Sequence, residues 1–323
     1  MGKMKAVRID RPTKAEDIVL TECEIPKVRP GWVLLKVMAF GMNHSEQILR
    51  REEILEDYIQ KPVIPGIECV GVIEDPSDSH FQRGQRVAAL MGGMGRSFDG
   101  SYAEYALLPA HHVFAVESTL SWEMLAAVPE TWFTAWGSLF ECLDLRSGDV
   151  LLIRGATCAL GYAAIALAKA HGCKVIATMH RERKLSLLAD ADEAVLDEGS
   201  LAGTLKGKGI TKALELVGPK TVKDTMQCVE KGGIVCNTGI LGGIYTLDGF
   251  DPIKEIPNGV YLTGFFSNTP TQEVMTDIFH YIEKNGIVPK IGACVPFSKI
   301  QSAVEAMDAG TVDGKIVVTM EVG

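Results

Sequence analysis

No stretch of this 323-residue chain approaches the roughly 20 consecutive apolar residues of a membrane-spanning helix. A protein that crosses a bilayer by helices is not expected. Positive charge is also short: 32 Lys and Arg stand against 41 Asp and Glu, a net charge of −9. Nucleic acid is therefore not expected as the main partner, since phosphate binding needs a basic face. The opening Met-Gly-Lys-Met-Lys-Ala-Val-Arg-Ile-Asp lacks the apolar core of a secretion signal, and Ala6 stands where a myristoylation motif wants Ser or Thr. Cys-x-x-Cys is absent: Cys23, Cys69, Cys142, Cys158, Cys173, Cys228, Cys236 and Cys294 are scattered. They read as reduced thiols, mostly core filler, and a cytoplasmic location is expected. Internal repeats, low-complexity segments and long flexible linkers are missing as well. What remains is ordinary for a globular protein, 47% hydrophobic and 23% charged, with length for one large or two ordinary domains.

Residues 1–115 are punctuated by Gly and Pro. Short apolar segments lie at Trp32–Ala39, Val70–Glu74, Gln85–Leu90, Ser101–Leu108 and Val113–Ala115. This predicts irregular β structure, consistent with a partly open barrel. Residues 120–144 turn helical, over Trp122–Val128 and Phe133–Leu143. From 149 to 266, strands are expected at 150–153, 174–178, 194–197, 213–217, 233–237 and 260–266, with helices that include 182–190 and 219–230. Such alternation with short loops implies a parallel sheet with right-handed crossovers. Thr271–Asn285 has apolar Val274, Ile278, Tyr281 and Ile282 at helical spacing. The tail returns to strand, helix and strand at Ala293–Pro296, Ile300–Ala309 and Lys315–Thr319. The expected architecture is α/β, with a dinucleotide domain inserted into a discontinuous β-rich domain.

The segment 149–178 says most about chemistry. Val150–Ile153 is a short apolar run, Arg154–Gly161 is small and turn-forming, Tyr162–His171 reads as a helix, and Lys174–Thr178 as a second strand. This is the opening βαβ of a dinucleotide fold, in which a helix N-terminus faces a pyrophosphate. Aligned on Gly161, the Gly-x-Gly-x-x-Gly pattern reads Ala156-Thr157-Cys158-Ala159-Leu160-Gly161, so two of its glycines are missing. Its context carries the reading. Small Ala156 and Ala159 leave room for backbone approach, and Thr157 and Cys158 can offer backbone N–H groups to phosphate oxygens. Cys158 is expected at the helix N-terminus, where the dipole lowers a thiol pKa; a reactive thiol and a small spacer are the two readings. Thr178 ends the second strand and joins the candidate cofactor residues. Basic residues follow it: His180, Arg181, Arg183 and Lys184. An NAD site would place a carboxylate there for the ribose 2′-OH, whereas basic residues suit the 2′-phosphate of NADP(H). Arg181 and Lys184 are the candidate ligands.

Further segments make the chain similar to the medium-chain dehydrogenase/reductase superfamily, specifically its zinc-free quinone oxidoreductase branch. Arg29–Val37 resembles the family's first barrel hairpin, and Gly41-Met42-Asn43-His44-Ser45-Glu46 its "G-x-N-x-S-D" segment. Pro65–Ile73 resembles "P-G-x-E-x-x-G-x-V". Phe81–Val87 resembles "F-x-x-G-D-R-V", with Gln85 for the usual Asp. Gly100–Tyr105, Thr134-Ala135-Trp136 and Gly314–Val318 are also typical. The resemblance covers nearly the whole chain. It implies a GroES-like catalytic domain over 1–122 plus 286–323 and a Rossmann-type NADP-binding domain over 123–285.

Zinc alcohol dehydrogenases of the superfamily use an early Cys and a Gly-His-Glu as ligands. Here the first position looks like Asn43, and Gly-His-Glu has become Gly66-Ile67-Glu68. Ile cannot bind a metal, the four-Cys structural lobe is absent, and no metal site is expected. His44, His111 and His112 read as structural or surface residues. The resemblance further implies that Asn43 lies beside nicotinamide and substrate, with Thr134 near the nicotinamide. Val217-Gly218 and Thr238-Gly239-Ile240-Leu241 are expected over the cofactor, and Gly264-Phe265-Phe266-Ser267 beside it. Of the two phenylalanines one is expected in the core. Lys315 is expected near the mouth of the cleft. A Tyr that relatives often carry shortly after the Asn is replaced by Gln47-Ile48-Leu49, and Glu46 is the candidate polar residue of the site. The implied activity is NADPH-dependent reduction of a small-molecule quinone or α,β-unsaturated carbonyl, by a homodimer. An enoyl-thioester reductase, or an NADPH-binding sensor without turnover, are the alternatives.

Overall fold

The computed structural model describes residues 2–268 and 270–321. In chain order, β1 (Lys3–Val7), β2 (Leu20–Glu24) and β3 (Trp32–Gly41) lead to helix α1 (His44–Arg51). Then come β4 (Glu68–Asp75), β5 (Arg86–Leu90), β6 (Tyr105–Pro109), β7 (Val113–Ala115), α2 (Trp122–Ala126) and α3 (Pro129–Trp136). A π-helical turn over Gly137–Cys142 precedes β8 (Val150–Arg154), α4 (Ala159–Ala170), β9 (Lys174–Met179), β10 (Glu193–Leu196) and β11 (Lys212–Glu215). The chain continues through α5 (Val222–Cys228), β12 (Ile234–Asn237), α6 (Pro252–Glu255), β13 (Tyr261–Gly264), α7 (Gln272–Lys284), β14 (Ile291–Pro296), α8 (Ile300–Ala309) and β15 (Lys315–Thr319).

These elements form two compact units, 1–130 with 268–323 and 131–267. The expected boundaries, at 122/123 and 285/286, differ because α2, packed on β3, β4 and β15, and α7 both belong with the first unit. Gln272 on α7 bonds both backbone groups of Ala115, and Glu283 accepts from Ser118 and Thr119.

In the first unit a seven-stranded sheet runs β14-β15-β3-β4-β5-β7, with β6 paired to β3. β1 and β2 form a separate antiparallel pair, and the described residues form no closed barrel. Apolar residues such as Leu35, Val37, Phe40, Ile73 and Val87 build its core. The strand expected at Ser101–Leu108 begins only at Tyr105. The preceding residues bond to the 64–66 loop instead, Gly100 N–H to Ile64 O and Tyr102 N–H to Pro65 O.

The second unit is a six-stranded parallel sheet in the order β10-β9-β8-β11-β12-β13. This is the doubly wound order 3-2-1-4-5-6, which reverses between β8 and β11, where such folds bind ligands beyond the carboxyl ends of the strands. Leu151, Leu152, Ile153, Val175, Ile176 and Ala177 are fully buried, the double-sided burial that explains the unbroken apolar runs in the sequence. The helix expected over 182–190 is only a short 3₁₀ segment, Glu182–Leu188. Leu188 is its one buried residue, too little apolar face to stabilise a longer helix.

Candidate functional site

Three chain segments converge at the β15-β3-β4 end of the first unit. Asn43 is the N-cap of α1, Glu68 starts β4 and Lys315 starts β15. The Lys315 ammonium lies 2.6 Å from Glu68 Oε1 and donates to Asn43 Oδ1 at 2.6 Å. Asn43 Nδ2 donates to Glu68 Oε1 at 2.8 Å, and the Glu130 N–H, in the first turn of α3, donates to Glu68 Oε2 at 2.8 Å. Glu68 and Lys315 are 0% and 3% exposed, so this ion pair sits in a low dielectric, with its oxygens satisfied. Gly41 makes the approach possible: a Cβ there would lie 2.4 Å from Lys315 Cε and 2.6 Å from Glu68 Oε1.

Glu46 adds a second buried carboxylate. It accepts the Asn43 N–H at 2.6 Å, closing a capping box at the start of α1, and the Ile67 N–H at 3.2 Å. Burial pushes its carboxyl up to about 7; Lys315 pulls it down, Glu68 pushes it up, and the two amides oppose the rise. The replaced tyrosine position, Gln47, points to structure: Gln47 bonds His44 and Asp308. His44 and His111 are exposed, and His112 is half-buried.

In the second unit, α4 starts at Ala159, three residues earlier than the sequence suggested, because Cys158 caps it. Cys158 Sγ accepts the Gly161 N–H at 3.4 Å. Two expectations for this residue are corrected. Its N–H is used within the turn, donating to Ala156 O, so it is not offered to phosphate. Its thiol pKa is raised rather than lowered, because burial outweighs the amides of Gly161 and Leu160. Thr157, Ala159 and Leu160 are the amides that open the helix. Gly161 is required by contact: its Cβ would sit 2.2 Å from Ala156 O. Thr178, fully buried, accepts the Gly155 N–H through Oγ1 and the Ala156 N–H through its carbonyl, fixing the loop to β9.

Beyond β11, the Val217 and Gly218 amides donate to the buried Glu215 carboxylate at 2.7 and 3.0 Å. Gly218 has φ +97°, and its Cβ would meet Gly239 O at 2.5 Å. The 217–218 and 239–241 loops are thereby held against each other, with Leu241 half exposed. Ser138 Oγ donates to Thr134 O and shares a 2.8 Å bond with Thr238 Oγ1. Of the two phenylalanines, Phe265 is the inward one, packed on Phe133 and against Gly137, while Phe266 is 80% exposed. Arg181 caps the 3₁₀ segment and is exposed; Lys184 is half-buried. Ser267 is half-buried at the unit's end.

Lys315, expected at a cleft mouth, is instead a buried counter-ion. Two further residues carried no expectation of a role at the site. Glu68 stood only as the last residue of Gly66-Ile67-Glu68, where zinc relatives have Gly-His-Glu. Arg154 ends β8 and is fully buried, bonded to Asp197 and Asp224 at 2.7 Å each and to Thr225 at 3.0 Å. A charged residue closing the run Val-Leu-Leu-Ile was the signal for it.

A pyridine nucleotide fits the second unit: the strand order reverses at β8 and β11, and Gly161, Gly218 and Gly239 let the loops beyond these strands pack backbone against backbone at that crevice. Zinc does not fit the first unit. The candidate donors are an amide, an isoleucine and a carboxylate already bound to an ammonium, and among the described residues no group of three or more His, Cys, Asp or Glu could hold a metal ion.

The family model "Alcohol dehydrogenase GroES-like domain" matches residues 29–118, and "Zinc-binding dehydrogenase" matches residues 159–284. Mouse quinone oxidoreductase is 28% identical over 327 residues, covering 95% of each chain. The rat quinone oxidoreductase is 29% identical over 317 residues, covering 94% of this chain and 93% of the relative. The solved quinone oxidoreductase of Coxiella burnetii superposes with a TM-score of 0.85 at 20% identity, covering 99% of this chain and 100% of that one. With its inserted parallel-sheet unit and its glycine-lined loops, the chain belongs to the medium-chain dehydrogenase/reductase superfamily, and it is an oxidoreductase of the pyridine-nucleotide type. Within that superfamily it falls in the quinone oxidoreductase branch.

Proposed function

We propose that the protein is a zinc-independent, NADPH-dependent reductase of small quinones or α,β-unsaturated carbonyls. The observation that carries this reading is the Lys315–Glu68–Asn43 cluster: a buried ammonium, not a metal donor set, is the cation that the first unit offers. In alcohol–carbonyl exchange a metal Lewis acid is one strong means of holding the alkoxide. A conjugated acceptor spreads the incoming charge over its own π system and needs less help. When bound, the reduced nicotinamide supplies a hydride. The protein's residues orient and hold. Thr157, Ala159 and Leu160 offer backbone amides to the pyrophosphate, and Arg181 with Lys184 meets the 2′-phosphate. Lys315, buried against Glu68 and Asn43, contributes positive charge through its field rather than by contact to an acceptor that gains charge. The names of the curated relatives support the acceptor class.

The test is NADPH oxidation with 1,2-naphthoquinone and with an enone, each with and without a chelator. Turnover that the chelator leaves unchanged is the expected result. Tight NADPH binding with no acceptor reduced would remove the enzymatic reading. The proposal includes a cytoplasmic homodimer joined through β13, an edge strand flanked by the exposed Tyr261 and Phe266. Light scattering should give twice the 34.9 kDa chain mass.

A further inference from the structure

The first unit buries more negative than positive charge around Glu46. The groups that face it are Lys315 on β15, Glu68 on β4, Arg50 on α1, Arg96 after β5 and Tyr102 before β6. Arg50 is paired with Asp308, 2.6 Å away, which the half-exposed Arg51 shares at 3.0 Å, and Arg96 is paired with Glu53, 2.7 Å away. Among the described residues, that leaves one ammonium, Lys315, beside the carboxylates of Glu46 and Glu68, with the buried Glu130 adjoining through its N–H on Glu68. Two carboxylates this deep cannot both stay ionised at little cost, so a proton is held by one of them. Glu68 has both oxygens committed to N–H donors and Lys315 bound directly to it. Glu46 accepts two backbone amides and has no ammonium within bonding distance among the described residues.

A cavity of about 20 Å³ opens beside Glu46, lined also by Met42, Gln47, Arg50, Pro65 and Tyr102. It has room for about one water. The Tyr102 hydroxyl, on a residue only 3% exposed, is buried with no hydrogen-bond partner. Val7, Ile18, Val304 and Met307 make most of the lining apolar; Glu46, Gln47, Arg50 and Tyr102 form its polar edge, where one water would find partners.

We infer that Glu46 is a positioning residue that sets the charge of the Asn43–Glu68–Lys315 cluster, and that a water held between it and Tyr102 lets its proton exchange. With the proton on, the two carboxyl groups and the ammonium sum to zero. With it off, they sum to −1. Reduction of an acceptor adds negative charge, so the protonated form is the active one and the ionised form opposes the reaction. This rests on the reductase reading above, but the proton itself does not.

The experiment therefore has one arm without turnover. Infrared difference spectra of the cofactor-free protein are recorded from roughly pH 5 to 9, for wild type, Glu46→Gln and Tyr102→Phe. Gln keeps an acceptor for the capping box, so that variant is expected to fold. The wild type should show a protonated-carboxyl band that disappears with a midpoint of about 7, the value at which burial holds this group. Glu46→Gln should lack that band, and Tyr102→Phe should shift its frequency. In the second arm, wild-type kcat should fall about tenfold per pH unit well above that midpoint, while Glu46→Gln stays active and flat. A band already gone at pH 5, or one that survives Glu46→Gln, overturns the inference even if quinones are reduced. A Glu46→Gln profile that follows the wild type overturns the charge-setting role. Absence of all turnover, with the band titrating as expected, refutes the reductase reading instead.

Discussion

Replacing Lys315 with Met removes the cation from a site that keeps two buried carboxylates. Lys315 is 3% exposed and Glu68 0%, so water cannot move in to compensate without opening the β15-β3-β4 end of the sheet. Breaking a buried pair by removing one partner costs about 3–5 kcal/mol, most of it the penalty of the stranded charge. For a domain of this size each kcal/mol lowers the melting temperature by about 2–4 °C, so Lys315→Met should lose roughly 6–20 °C. Urea unfolding, followed by tryptophan fluorescence, gives the free energy directly. Adding Glu68→Gln to Lys315→Met should recover stability, because the stranded charge is gone although the hydrogen bonds from Asn43 and Glu130 remain available. The recovery is a coupling energy that a double-mutant cycle isolates. If Lys315→Met costs under about 1 kcal/mol, or if Glu68→Gln makes it worse, the pair is not the isolated buried ion pair described above.

Arg181→Ala with Lys184→Ala should raise the NADPH dissociation constant by roughly ten- to a hundredfold, the worth of one or two hydrogen bonds to charged phosphate, and leave NADH nearly unchanged; equal loss for both nucleotides would contradict the 2′-phosphate assignment. The Glu46 carboxyl is protonated in folded and unfolded chains below its ordinary value of 4.5 and contributes nothing to pH dependence there. Between 4.5 and about 7 only the folded chain keeps the proton. Stability therefore declines as pH rises through that window, by about 3 kcal/mol from this group, and comparison of wild type with Glu46→Gln in urea at several pH values isolates it. Cys158, half-buried and with its thiol pKa raised, should react with iodoacetamide at neutral pH more slowly than an unfolded-chain cysteine, as peptide mass spectrometry can time; labelling as fast as in urea would show the capping geometry to be wrong.

Local sequence determined the alternation of the second unit. The runs Val150–Ile153 and Val175–Ala177 are apolar on successive residues because both faces of a parallel strand are covered, a property of the strand itself. It also determined the need for Gly161, whose close contact with Ala156 lies within one turn of chain. Where a helix depended on what it packs against, as at 182–190, periodicity alone overestimated it. At Cys158 the helix dipole predicts a lowered thiol pKa, and burial, which no local pattern reports, reverses the sign of the shift.

The cluster that carries the proposed chemistry was legible only as separate residues. Asn43 and Glu46 stand in one motif, Glu68 in a second and Lys315 in the tail, 272 residues beyond Asn43. Their identities and the absence of a His before Glu68 are sequence facts. That Lys315 is the counter-ion of Glu68, that Phe265 rather than Phe266 turns inward, and that Glu46 lies beside an unpaired Tyr102 hydroxyl are decided by strand pairing and burial. Sequence spacing sets which residues a short segment can align. Only the sheet, by pairing β15 with β3 and β3 with β4, brings charges from distant segments within bonding range and removes the water that would otherwise screen them.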